Sequence, residues 1–188
     1  MLKRTILPIT LEDFYTDIPA NCTEPVLIRN ISDMVSLFID GEQALQEGDR
    51  ELYRFWTIEP APGEAGELAY GVTELYAGTI GSEFNMTHGH YHAGSGAELY
   101  MGLKGSGLLL LQNREGDLET IEFGERTITY IPSGWGHRMV NTGDENMTFI
   151  AVWPTGIDHD YDAMYTHNFK VRVLKTEDGV KIVPRSED

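Results

Sequence analysis

The run THGHYHAGSGAELY, Thr87 to Tyr100, sets His88, His90 and His92 at alternate positions and follows them with a lone glutamate, Glu98. In an extended chain, residues two apart share a face, so His90 and His92 project together with Tyr91 opposite. Ala-Gly-Ser-Gly makes a flexible turn, and AELYMGLK begins a return strand. Alternation there puts Glu98, Tyr100 and Gly102 on one face, and Leu99, Met101 and Leu103 on the other. Two imidazoles and a carboxylate meeting across a hairpin are a donor set for a divalent first-row metal. Farther on, PSGWGHRMVN supplies His137 after a tight turn. With His137 facing inward, Met139 and Asn141 share its face and Arg138 points outward. Three imidazoles and one carboxylate leave coordination positions open to water or substrate, as a reactive metal requires.

These residues need a scaffold of strands, and the sequence supplies one. From Leu52 onward, short aromatic or β-branched runs follow one another: LYRFWTIE, LAYGVTELY, AELYMGL, GLLLLQN, TITYI, MTFIAVW and FKVRVLK. Polar turn segments such as APGEAGE, NREGD, NTGDEN and TEDG separate them. Closely spaced strands without strong helices between them predict an all-β antiparallel sandwich or barrel. EDGVKIVPR predicts a C-terminal hairpin strand, with Pro184 favouring an edge. Residues 1–30 read as an arm broken by Pro8, Pro19 and Pro25. A short helix capped by Ser32 or Asp33 is expected to carry Met34, Val35, Leu37 and Phe38, with Gly41 interrupting it. The expected organisation is one unit: an arm and short helix over 1–50, and the barrel with its C-terminal strands over 51–188.

Thirty acidic against fourteen basic residues give a formal charge of −16. Such a surface repels phosphate backbones and anionic lipid, so nucleic acid and membranes are not expected as partners. An anionic ligand must be held by local donors or a bound cation. The single cysteine, Cys22, reads as a reduced thiol. The N-terminus lacks the sustained apolar stretch of a secretory signal, and a soluble cytoplasmic protein is expected.

The two histidine segments resemble the paired motifs of the cupin superfamily. His90-Tyr-His92, AGSGA, Glu98, LYMGLK, Gly105 matches the first, and Pro132, Gly134, His137 and Asn141 match the second. The spacer before Glu98 is slightly long, and the glycine usual before the second motif is displaced to Gly124. The resemblance implies a double-stranded β-helix, or jelly-roll barrel, with His90, His92, Glu98 and His137 as ligands. Since Gly89 permits a bend or bulge, His88 is read as a neighbour at the mouth. Over about Glu67 to Tyr161 the chain is similar to the cupin-type phosphoglucose isomerases. The resemblance is carried by Thr73-x-Leu75-Tyr76, Gly81-x-Glu83, Thr87-x-Gly89-His90-x-His92, Glu98-x-Tyr100, GHRMVNTGDE, and Pro154 followed by His159-Asp160-Tyr161.

That resemblance implies interconversion of glucose 6-phosphate and fructose 6-phosphate, by a homodimer using a divalent metal, usually Fe2+, with Zn2+ or Mn2+ as alternatives. It implies phosphate contacts from Thr73, Thr87, Gly89 and Tyr100, and catalytic roles for Glu98, His159 and Tyr161. His159 and Tyr161 would serve ring opening or hydroxyl binding. Glu98 stands where a base would carry a proton between C2 and C1; a hydride shift is the rival route. Departures from the family pattern are Trp153 for a tyrosine, Ser133 and Gly134 for a proline and a tyrosine, and His88 for a lysine. Two other classes share such ligands: an iron-dependent cupin dioxygenase and a non-catalytic sugar-binding cupin. Neither needs the whole pattern, because the first requires no phosphate cradle and the second no openly coordinated metal.

Overall fold

A computed structural model describes residues 26–59, 62–166 and 168–185, so most of the proline-broken arm, with Cys22, lies outside the described residues. The chain opens with β1 (Leu27–Asn30), two single 3-10 turns (Ile31–Asp33 and Val35–Leu37) and helix α1 (Gly41–Glu47). Strands β2 (Glu51–Ile58) and β3 (Leu68–Leu75) precede three short pieces, β4 (Thr79–Ile80), β5 (Glu83–Phe84) and β6 (Tyr91–His92). Then come β7 (Glu98–Lys104), β8 (Ser106–Gln112), β9 (Leu118–Gly124), β10 (Ile128–Ile131), β11 (Gly136–Asn141) and β12 (Met147–Pro154). Strand β13 (His159–Asp160), helix α2 (Ala163–Thr166), β14 (Val171–Thr176) and β15 (Gly179–Pro184) complete the order.

A six-stranded sheet, β1-β2-β3-β12-β7-β10, faces smaller sheets ordered β11-β8-β9, β13-β6 and β15-β14-β5-β4. Every pairing is antiparallel. The chain thus forms the expected all-β cupin barrel, and β15 with Pro184 is an edge strand. Strand β1 pairs with β2 across the 50/51 boundary, in the same sheet as the barrel's long strands. The inner faces close over a core that includes Leu75, Leu109, Ile131 and Phe149, each at most 1% exposed. Burying such side chains contributes about 1.5–3 kcal/mol each, and this holds the two layers together. A satellite cluster of Val72, Leu103, Met101 and Ile150 lies apart from that core.

The expected helix over 32–40 does not form. Asn30 N donates to Asp33 Oδ2 at 2.8 Å, which closes a single tight turn, and a second turn follows over Val35–Leu37. The α-helix instead starts at Gly41, the residue expected to interrupt it. A Cβ there would overlap the Val35 carbonyl, so glycine permits a close approach of two turns. Two strands of four or more residues escaped the sequence reading, as did the two-residue pieces β4, β5 and β13. β9 shows little apolar alternation, since Glu119, Thr120 and Glu122 are exposed, and β1 lies inside the segment read as an arm.

Candidate active site

Residues between β5 and β6 run along β11 as its neighbour. Thr87 N donates to Met139 O at 2.9 Å, while His90 and His137 exchange N–H···O bonds of 3.3 and 3.0 Å. That exchange sets His90 opposite His137, and β6 and β7 bring His92 and Glu98 to the same place. One donor atom from each of the four residues lies within 4.8 Å of all the others. Glu98 Oε2 is 3.0 Å from His137 Nε2 and 3.2 Å from His92 Nε2. These atoms converge on a point and are not aligned as hydrogen bonds. Nε2 of His90, His92 and His137, and Oε2 of Glu98, are buried without a hydrogen-bond partner among the described residues. Leaving four such atoms unsatisfied is costly, and a shared cation removes the cost. Bonds of about 2.1 Å to one ion put ligands at right angles about 3 Å apart, close to the observed spacing. The residues fit a divalent metal.

The electrostatics agree. Burial pushes the Glu98 carboxyl up, but His137 and His92 outweigh it and hold the group at about 2. Burial, with His137 and His159 alongside, keeps His90 well below its usual value. Burial also works against a charged His92, yet Glu98 raises it. An ionised carboxylate and a neutral His90 are ligand forms. The Nδ1 of His92 faces Gly96 O at 3.0 Å, and donating a proton there leaves Nε2 free to bind.

A cavity of about 130 Å³ opens beside these four donors. Thr73, Thr87, Gly89 and Tyr100 line it, as do His159 and Tyr161. Thr87 Oγ1 accepts from Met139 N at 3.1 Å, so its own hydrogen is free to donate to a ligand. Gly89 has φ 75°, and a Cβ there would sit 3.0 Å from the His137 carbonyl. His159 pairs in register with His92, and its ring lies 4.3 Å from that of His90. Burial lowers the His159 pKa and raises those of Tyr161 and Tyr100, so at neutral pH all three are uncharged. Trp153, where the resembling family has a tyrosine, lines the apolar wall with its ring 6.0 Å from His159.

Two placements differ from expectation. His88 does not line the cavity: the turn at Gly89 directs it away, where it is 3% exposed between Tyr161 and Tyr165. Its Nε2 lies 3.1 Å from the Tyr165 hydroxyl. Arg138, expected to point outward, leaves the barrel interior but not the protein, at 1% exposure. Its Nε and Nη2 donate to His88 O, its Nη1 donates to Asn168 Oδ1, and the guanidinium stacks 4.9 Å from the Phe169 ring. The C-terminal segment covers it, which β11 alone could not reveal. Sequence reasoning also missed Leu27, Tyr53 and Phe55, which form one side of the cavity. The alternation in LYRFW places Tyr53 and Phe55 on one face, but nothing local says that this face is the inner one.

An antiparallel β-barrel holding three imidazoles and one carboxylate beside an interior cavity is a cupin with a metal-type site. The family model described as "Glucose-6-phosphate isomerase (GPI)" matches residues 28–188. A relative named glucose-6-phosphate isomerase, from Thermococcus litoralis, is 41% identical over 91% of this chain and 90% of its own. Another with that name, from Thermococcus kodakarensis, is 40% identical over 84% of each chain. A solved oxalate decarboxylase from Lactobacillus farciminis aligns with a TM-score of 0.49 at 23% identity, over 59% of this chain and 31% of that one. This chain belongs to the glucose-6-phosphate isomerase family.

Proposed function

We propose that this protein interconverts glucose 6-phosphate and fructose 6-phosphate, with a divalent metal held by His90, His92, Glu98 and His137. The observation that carries this reading is the convergence of four unpartnered donor atoms on one point beside a cavity walled by hydroxyls. Family membership supplies the substrate class.

A divalent ion held by these N/O donors, Fe2+ or else Zn2+ or Mn2+, would supply Lewis acidity to the reaction. The chain's own residues do the rest. The Thr73, Thr87 and Tyr100 hydroxyls donate to phosphate oxygens, and the bend at Gly89 brings backbone close to the same group. Glu98, kept ionised at neutral pH, takes the C2 proton and returns it to C1. Neutral His159 and protonated Tyr161 sit beside the ligand cluster, where they exchange protons with the sugar hydroxyls and assist ring opening. Leu27, Phe55, Phe149 and Trp153 make the remaining wall apolar, which limits water around the reacting carbons.

The protein acts as a homodimer in the cytoplasm. An exposed apolar strip on β7 and β10 supports the first statement. The second is supported by the lone Cys22, which has no cysteine in this sequence to pair with. The test is to incubate metal-loaded protein with fructose 6-phosphate under nitrogen and follow glucose 6-phosphate. Turnover without oxygen is expected. Its absence would contradict the isomerase reading, and turnover that requires oxygen would indicate a dioxygenase.

A further inference from the structure

The described residues lining the cavity include no lysine or arginine. The ligand proposed for it is nonetheless a dianion, and the chain has a formal charge of −16. Beyond the proposed metal the cavity offers only hydroxyl and amide dipoles, and a further positive charge nearby would help draw a dianion into so acidic a protein. Arg29 lies immediately behind the cavity wall. It stands two residues after Leu27, which lines the cavity, so both side chains leave β1 on the same face. Strand register pairs Arg29 with Tyr53, another lining residue. Its guanidinium is 5.9 Å from the centre of the Tyr161 ring.

Among the described residues the charge is largely uncommitted. Asp33 approaches at 3.9 Å on a partly exposed side, which makes a weak ion pair. The Arg29 Nε is buried without a hydrogen-bond partner among the described residues. Burial raises the Tyr53 hydroxyl, while the Arg29 side chain and the His88 amide act on it in the opposite sense. Tyr53 lines the same cavity as Thr87 and Gly89 of the proposed phosphate cradle. Arg29, Tyr53 and that cradle thus form a continuous set.

We propose that Arg29 is the charge-supplying and positioning residue of the phosphate end. It orients Tyr53 and Tyr161 and selects phosphorylated over unphosphorylated hexoses. This rests on the isomerase reading, and its test is arranged to fail separately. Wild type, Arg29→Met and Arg29→Lys are compared for fructose 6-phosphate kinetics, for binding of inorganic phosphate by calorimetry, and for melting temperature. Inorganic phosphate has no sugar to isomerise, so its affinity reads this end independently of turnover. Arg29→Met is expected to weaken phosphate binding and raise KM by about 10-fold, the order expected of a unit charge acting on a dianion from behind the cavity wall. Its kcat is expected to fall less, and Arg29→Lys to recover most of the affinity. Unchanged phosphate affinity in a folded Arg29→Met protein overturns the proposal, and so does a lowered melting temperature and kcat with unchanged affinity. If Arg29→Met does not fold, Arg29→Gln is read by the same measure. A wild type that binds phosphate but does not isomerise the sugar counts against the isomerase reading and leaves the Arg29 comparison standing.

Discussion

Glu98→Gln separates the two duties assigned to one carboxylate. Glu98 is 3% exposed, and its Oε2 lies 3.0–3.2 Å from the Nε2 atoms of His137 and His92. Its carboxyl is held at about 2, so throughout the neutral range it carries a full negative charge. Glutamine keeps the volume and one oxygen donor, and removes the charge and the basic site. With metal in excess and occupancy confirmed by elemental analysis, kcat is expected to fall by about 10²–10⁴. That corresponds to about 3–5 kcal/mol of transition-state stabilisation. Wild-type turnover of glucose 6-phosphate in D₂O should place deuterium at C1 of fructose 6-phosphate. A metal-replete Glu98→Gln enzyme with near-normal kcat would refute the base assignment. Product free of solvent deuterium would favour a hydride shift between the carbons.

Three further outcomes are expected. Arg138→Met should orphan the buried His88 carbonyl, which accepts two of its N–H groups, and remove the bond to Asn168 Oδ1, which keeps the Phe169 N–H, at a cost of roughly 3 kcal/mol, or about 6–12 °C in melting temperature; a negligible shift would contradict this. In metal-free protein, the Glu98 carboxyl is lowered from 4.5 to about 2, which contributes about 3 kcal/mol of stability. Because the shift is downward, that contribution is present above about pH 4.5 and is lost as pH falls through about 2. Urea unfolding of wild type against Glu98→Gln should show the difference shrinking across that window, and a constant difference would contradict it. Ile128 and Tyr130, each 64% exposed, flank Leu99 and Met101 on the outer side of β10 and β7. Sedimentation should show a dimer that Ile128→Lys with Tyr130→Glu converts to monomer, whereas a monomeric wild type removes the dimer proposal.

The clustering of His90, His92, Glu98 and His137 was legible because it depends on short-range rules. His90 and His92 are two residues apart on one strand, and Glu98 and His137 each follow a turn. Strands with strong apolar alternation were equally plain. β9 was not, since its outer residues are acidic and its inward partner Phe123 is solitary. What the sequence concealed depends on contacts between distant segments. The inward face of Tyr53 follows from the register of β2 against β1 and β3. Burial of Arg138 follows from a segment thirty residues later in the chain, Asn168 to Phe169. The resemblance spanned Glu67 to Tyr161, while the family match extends over 28–188 and so takes in Arg29. A charged residue alternating with Leu27 in LIRN was the available signal for it.

A titration that reads metal and turnover together tests the metal site most directly. Protein is stripped with EDTA, verified metal-free by elemental analysis, and titrated anaerobically with Fe2+, Zn2+ or Mn2+ while fructose 6-phosphate is converted. Activity is expected to be absent at the start, to rise in proportion to bound ion, and to saturate at a single ion per chain, with His90→Ala and His137→Ala failing to load. Full turnover by the metal-free protein, or activity indifferent to loss of those histidines, would contradict the assignment of His90, His92, Glu98 and His137 as the metal site of an isomerase.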